Sequence, residues 1–247
     1  MAQINTWKYI EEGDLSGFTL IVPSVAVGNV AQLTCDLLIS SLKMTKIAKI
    51  QSLATIPVLG YDPYDINSNE LSCSCELYRS EVRKVLVLQI RAPLVLKHAR
   101  SFLTEVIETL KTKKIKDVII LTSSYAHEKR HIMTSPFRFK MNDLCPYKNK
   151  IKHLNWTEHE CLEDELNIFG GGFASLLYKI VSEESVPCLL IYKYCSEGDN
   201  IPDAFDMIQQ LTYVLPLFSG QKDLLSQLVQ PVSWKFLFGR PPPREIY

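Results

Sequence analysis

The sequence predicts one α/β domain built in three layers, α/β/α, around a mostly parallel mixed sheet. Three observations carry this. Residues 18–22 are a short apolar, β-rich run closed by Pro23, and the stretch after Gly28-Asn29 repeats Val30, Leu33, Leu37, Leu38 and Leu42 at helical spacing. That is strand, glycine-containing loop and amphipathic helix, the first half of a βα unit. A helical pattern over 97–113 runs straight into the uninterrupted apolar run 117–122, as a buried parallel strand should read. The same alternation returns in the second half of the chain, with a helix at 173–181 before a strand at 188–195.

In chain order, the run 18–22 is the first strand, and Asn29 is a good N-cap for the helix that follows. Residues 46–50 form a further strand, after which Pro57, Gly60 and Pro63 punctuate a loop. Residues 70–78 alternate, with Leu71, Cys73, Cys75 and Leu77 on one side, and 83–91 are richer in Val and Leu, so the two make a hairpin with the second strand more central. The helix 97–113 puts Phe102, Leu103, Val106, Ile107 and Leu110 on one face and ends in lysines, which suits a helix C-terminus. Residues 123–165 read as an insertion or active-face loop with little regular structure, holding four of the five histidines. Gly170-Gly171-Gly172 leads into the next helix. Residues 196–203 turn into a helix with Pro202 in its first turn that runs to about Leu215, and a short helix over 223–229 stops before Pro231. No internal repeat or linker splits the chain, so the expected organisation is one domain over 1–231 and a tail over 232–247 with a polyproline spacer at Pro241–Pro243.

Composition narrows the function. The 247 residues carry 27 basic and 27 acidic side chains, a formal net charge of zero, so nothing draws the chain to nucleic acid or to an anionic membrane. The uncharged stretch 15–35 is interrupted by Ser16, Gly17, Thr19, Pro23, Ser24, Gly28, Asn29 and Gln32, too polar for a membrane span. The N-terminus lacks a basic stretch followed by an apolar one, so no secretory leader is expected. Seven cysteines at irregular spacings then read as reduced thiols of the cytosol or nucleus.

Few motifs promise chemistry. His127-Glu-Lys-Arg-His131 matches the zinc-protease pattern letter for letter, but that motif needs a helix to turn both imidazoles to one metal. Ser123, Ser124 and Tyr125 precede it and Thr134, Ser135 and Pro136 follow, so a solvated polar loop is the expectation, with no metal and no cofactor. Cys73 and Cys75 read as buried strand cysteines. Gly170-Gly171-Gly172 could offer backbone N–H groups to an anion, but no phosphate-binding fingerprint accompanies it, and an entry turn packed on the sheet is preferred. Ser123 and Ser124 sit at a strand end where an α/β enzyme places its nucleophile, without the G-x-S-x-G elbow. The lysines at 111–116 are a solvated helix end.

An ordered set of short stretches resembles the proteasome assembly chaperone 2 family: Gly17–Val30 (GFTLIVPSVAVGNV), Ser135-Pro-Phe-Arg138, Leu154-Asn-Trp156, Gly170–Gly172, Ser196–Ala204, Ser233-Trp234 and Leu237-Phe238-Gly239. The resemblance covers about 17–239. It implies a non-enzymatic chaperone of the cytoplasm and nucleus that pairs with proteasome assembly chaperone 1. The heterodimer binds α subunits of the 20S proteasome, promotes α-ring formation and prevents off-pathway association. It implies a phosphorylase/hydrolase-like fold without an active site. It also implies a proteasome-binding C-terminus, for which Ile246 and Tyr247 supply the hydrophobic and tyrosine residues. Here the tyrosine is last rather than penultimate, so the carboxylate stands one residue short of the family's usual place. Such a chain exposes apolar surface and is expected to be unstable or to aggregate without its partner. The competing expectation is a phosphorylase- or hydrolase-like enzyme using the loop Ser123–His131.

Overall fold

The apolar run after Gly17 becomes the middle of a large sheet. The computed structural model describes residues 5–161, 165–218 and 224–236. In chain order its strands are β1 (Asn5–Tyr9), β2 (Thr19–Pro23), β3 (Thr45–Ser52), β4 (Leu59–Tyr61), β5 (Leu71–Cys73), β6 (Cys75–Ser80), β7 (Val85–Ile90), β8 (Asp117–Tyr125), β9 (Phe137–Met141), β10 (Thr157–Glu158) and β11 (Cys188–Cys195). The helices are α1 (Val30–Ser41), α2 (Leu96–Thr112), α3 (Lys148–Ile151), α4 (Ala174–Glu183), α5 (Ile201–Val214) and α6 (Leu224–Gln227). Among the described residues, nine strands form one mixed sheet in the order β1-β3-β6-β7-β2-β8-β11-β9-β10, and β4 pairs with β5 alone.

The centre of the sheet is parallel: β2 pairs with β7 and β8, and β8 with β11. An antiparallel ribbon, β7-β6-β3-β1, extends one side, and antiparallel β9 extends the other. Side chains of the central strands alternate between two apolar layers. Ile21, Val87, Ile119, Leu121, Leu189 and Ile191 pack with α1 and α5. Leu20, Val22, Leu86, Leu88, Val118, Ile120 and Leu190 pack with α2 and α4. This is the expected three-layer α/β/α arrangement, and α2 buries the five residues its spacing assigned to the core. No helix among the described residues is long and apolar enough to cross a membrane.

The structure departs from the sequence reading in four places. Asn29 stands at the N-cap position of α1 but in the left-handed region, φ 51°, with no side-chain capping bond; asparagine tolerates that conformation after Gly28, whose φ is 66°. The single strand expected over 70–78 breaks at Ser74. Its first part, β5, joins β4, and its second part, β6, joins β7 and β3. Cys73 and Cys75 therefore belong to different sheets rather than sharing one face; Cys75 is fully buried and Cys73 half-buried, and all seven cysteines are free thiols. The region 123–165 is more regular than expected. β8 continues to Tyr125, and β9 adds antiparallel to β11 with Phe137 and Phe139 buried in the α1/α5 layer. The alternation Phe-Arg-Phe-Lys-Met was legible there, but Arg138 hid it, because its guanidinium is satisfied by the carbonyls of Ser135 and Phe137 and the hydroxyl of Thr134. Finally, β1 closes the opposite edge on β3, where Trp7 and Tyr9 pack on the core between exposed Thr6 and Lys8 and no apolar run marks the strand.

A polar clamp sits between α1, β7 and the loop after β4. Asp36 of α1 accepts from Arg91 Nη2 at 2.9 Å and Nη1 at 3.3 Å, from Tyr64 Oη at 2.6 Å and from Gln89 Nε2 at 2.7 Å. Burial alone would favour loss of the guanidinium proton, but the Asp36 carboxylate holds the Arg91 pKa well above its ordinary value. Asp36→Ala leaves a cation and two polar groups without their acceptor. The expected loss is about 3 kcal/mol in urea unfolding, toward the low end for a broken buried pair because the Arg91 side chain keeps 20% of its surface in water. Removing the exposed Glu81 from its pair with Lys84 should change the same measurement by less than about 1 kcal/mol.

Candidate functional site

In a parallel α/β sheet, ligands bind outside the carboxyl ends of the strands where the strand order reverses. Here the chain leaves β2 toward β7 on one side and returns to β8 on the other, so the switch point lies between the ends of β2 and β8. The residues at that point are Ser24, Ser123 and Ser124, and all three are buried.

Their hydroxyls are committed to the backbone. Ser24 and Thr122 donate to the Gly171 carbonyl at 2.8 and 2.9 Å. Ser123 donates to the Val27 carbonyl at 2.5 Å, and Ser124 to the Phe169 carbonyl at 2.8 Å. The loop after β2 is tied to the glycine run by the Val27 N–H on the Gly170 carbonyl, 2.9 Å. The run is an entry turn packed on the sheet, as the sequence suggested. Gly172 has φ +61°, and a Cβ there would lie 2.0 Å from the Val25 carbonyl oxygen, so only glycine fits. The protein's own loops thus close over Ser24 and Ser123, while Ser124 borders a cleft. A nucleophile needs a base within hydrogen-bond reach; the Ser123 and Ser124 hydroxyls face carbonyls instead.

The His127–His131 motif does not assemble. Residues Ala126–Glu128 make one 3-10 turn and Lys129 is extended, so no helix places the two imidazoles on one side. His127 stacks on Tyr125 and is exposed, as is His131. Lys129 folds back to donate to the Ile132 and Thr134 carbonyls, closing the segment as a polar loop. The loop borders a cleft of about 180 Å³ whose polar lining includes Ser124, His131, Arg138, His159, Tyr192 and Tyr194. His159 Nδ1 is 2.7 Å from the Tyr192 hydroxyl, and burial, then the cations of Lys140 and Arg138, lower its pKa. The His159 ring meets Tyr192 edge-on, and Tyr192 in turn meets Tyr194 edge-on.

What the structure offers outward is apolar surface. Ile132, Met133 and Phe169 are exposed around the polar loop, and a larger group (Leu53, Ile56, Leu59, Tyr61, Ile66) lies between β3 and β6. The sequence reading treated that second stretch only as a punctuated loop. Its signal was the density of apolar residues between Pro57 and Ser72 where a solvent loop should be polar. The chain end is anchored nearby: Val229 N donates to Ser41 Oγ at 2.8 Å, Ser233 N to the Pro63 carbonyl at 3.1 Å, and Trp234 is buried against the α1 layer. Ile246 and Tyr247, the expected proteasome-binding residues, lie outside the described residues.

These features make the protein a three-layer α/β scaffold with backbone-bonded strand-end hydroxyls and exposed apolar loops. The same fold is found in two Pyrococcus furiosus proteins. One is PbaB, an archaeal proteasome activator, with TM-score 0.68, 15% identity and coverage of 91% of this chain and 94% of that one. The other is PbaA, an archaeal homolog of proteasome-assembly chaperone, with TM-score 0.67, 15% identity and coverage of 90% and 91%. The PAC2 family model matches residues 20–224, and the chain belongs to that family. Among its relatives are the human protein named proteasome assembly chaperone 2, 34% identical over 95% of this chain and 96% of the relative, and that of Danio rerio, 35% identical over 94% and 96%.

If the strand-end hydroxyls are structural, Ser123→Ala should lower stability by about 1 kcal/mol, since it leaves the buried Val27 carbonyl only the weak Cys195 thiol donor at 3.6 Å. Gly172→Ala should be worse, preventing accumulation of folded protein, because backbone rather than a movable side chain blocks the new methyl group. Thermal unfolding of both variants and soluble yield of the second check this; an unchanged Tm for both would contradict it.

Proposed function

We propose that this chain is a non-enzymatic chaperone of 20S proteasome assembly. It acts in the cytoplasm and nucleus as a heterodimer with proteasome assembly chaperone 1, binding α subunits to promote α-ring formation and to prevent off-pathway association. The observation that carries this reading is similarity over nearly the whole length of relatives that bear the name proteasome assembly chaperone 2. The strand-end hydroxyls support it, since Thr122, Ser123 and Ser124 bond to the protein's own backbone rather than to a catalytic base. Exposed apolar side chains on a chain of zero net charge fit a protein that works beside a partner.

Affinity purification from the protein's own cells, followed by mass spectrometry, tests the reading. The expected result is a second assembly chaperone together with α subunits and few mature β subunits. Recovery of neither, with hydrolytic activity lost in Ser123→Ala, would return the protein to the enzyme class. Deleting Ile246 and Tyr247 should weaken binding to the α ring if the terminal carboxylate enters a pocket there. Unchanged affinity would remove the tail from the mechanism.

A further inference from the structure

Beyond β11, the sheet edge sorts its side chains by strand alternation. In β9, Phe137 and Phe139 face the α1/α5 layer, so Arg138 and Lys140 face the other. Tyr192 and Tyr194 of β11 pack with the α2/α4 layer on that same face. β10 runs parallel to β9, with Thr157 opposite Arg138 and Glu158 opposite Phe139, and this register sets His159 opposite Lys140. The imidazole thus joins a row that already holds two cations and two phenols, with the Arg138 guanidinium 5.3 Å from the centre of the Tyr194 ring.

The edge itself is slight. β10 adds two residues to the ladder, and the bond from His159 N to the Phe139 carbonyl, 2.8 Å, extends it by one step. Trp156 Nε1 donates to Gln210 at 2.8 Å and Lys140 Nζ to Glu158 at 3.0 Å. The His159 side chain reaches past β9 to β11, where Nδ1 lies 2.7 Å from the Tyr192 hydroxyl. His159, Tyr192 and Tyr194 all wall the cleft beside Ser124, so a shift of this edge changes the cleft.

The row suits an uncharged imidazole. In that form Nδ1 can accept the Tyr192 proton, whereas a protonated ring has no acceptor nitrogen. Tyr192 would then have to accept, and the Tyr194 hydroxyl toward which its own proton could turn is 3.5 Å away. The new charge would also stand beside Lys140 and Arg138, and of the nearby carboxylates Glu160 opposes this effect while Glu158 is taken up by Lys140, which Cys161 also reaches. Among the other ionisable groups lining the cleft, Arg130, His131 and Glu165 are exposed and Glu128 sits beside His127.

We propose that the His159–Tyr192 hydrogen bond is a pH-sensitive latch on this sheet edge, closed while the imidazole is uncharged and released when it is protonated, freeing β10 and opening the cleft beside Ser124. The folded ring gives up its proton more readily than an unfolded one, because burial and the two cations disfavour its charge. The latch is therefore whole above about pH 6.5 and is lost as the pH falls through the lower, folded value.

Amide hydrogen exchange of the full chain, followed by NMR from about pH 7.5 to about pH 5 and corrected for intrinsic rates, tests the latch. Protection of the His159 amide should fall about ten-fold or more across that range, while the Ile120 amide in the sheet centre stays within about two-fold. His159→Gln keeps an acceptor for Tyr192 but does not titrate, so protection at position 159 should become independent of pH. An equal fall in that variant, or no fall in the parent, would overturn the proposal. A second measurement needs no variant. The ring resonances of His159 should titrate with a midpoint below about 6.5, and a midpoint at or above that value would overturn the proposal as well.

Discussion

The four parallel strands β7, β2, β8 and β11 have no solvent face, and most of the architecture follows from that. Every residue of β2 and β7 is buried, as are all but the last of β8. A strand buried on both sides must be apolar on both sides, and both sides must then be covered. The helices α1 and α5 cover one layer and α2 and α4 the other, with alternate strand residues sorted between them. The flanking strands are antiparallel and carry more polar residues because they lie progressively nearer to water. Burying one Leu or Ile stabilises the fold by about 1.5–3 kcal/mol, so this two-sided burial outweighs any single polar interaction described here.

The same constraint shapes the carboxyl ends of the central strands. Strands buried this deeply bring Ser24, Thr122, Ser123 and Ser124 below the surface, where a hydroxyl must find an acceptor. They find it in the loops at Val27 and at Phe169–Gly171, which are drawn down onto the strand ends. Gly172 permits that approach by having no Cβ. An enzyme of this architecture leaves the crevice open to a ligand. Here the loop backbone takes up these hydroxyls, and a cleft remains only beside Ser124.

Polar interactions in this molecule position more than they stabilise. Glu76, buried in β6, gathers the hydroxyls of Ser72 and Tyr78 and the ammonium of Lys46, and so seats β5 on the sheet. Asp36 holds the loop after β4 through Tyr64. Together they fix a hairpin whose exposed face is apolar, and the chain end is bonded beside it at Pro63.

Fold class and central elements can be read from the order of residues alone. Apolar runs and helical spacing report burial directly, so β2, β8, β11, α1, α2, α4 and α5 were legible within a residue or three, as was the glycine turn at 170–172. Ordered short stretches also carried the family. The remaining features depend on packing between segments distant in the chain. β1 and β9 were hidden because edge strands mix polar and apolar residues, and Arg138 is buried only through partners that the fold supplies. The break at Ser74 followed from competition for partners: Cys75 to Ser80 pair with β7, while Leu71 to Cys73 pair with β4. Likewise, Ser123 at a strand end reads the same whether it attacks a substrate or bonds to Val27. Spacing records which residues are buried; it does not record what a buried hydroxyl faces, because that acceptor comes from a segment about a hundred residues away.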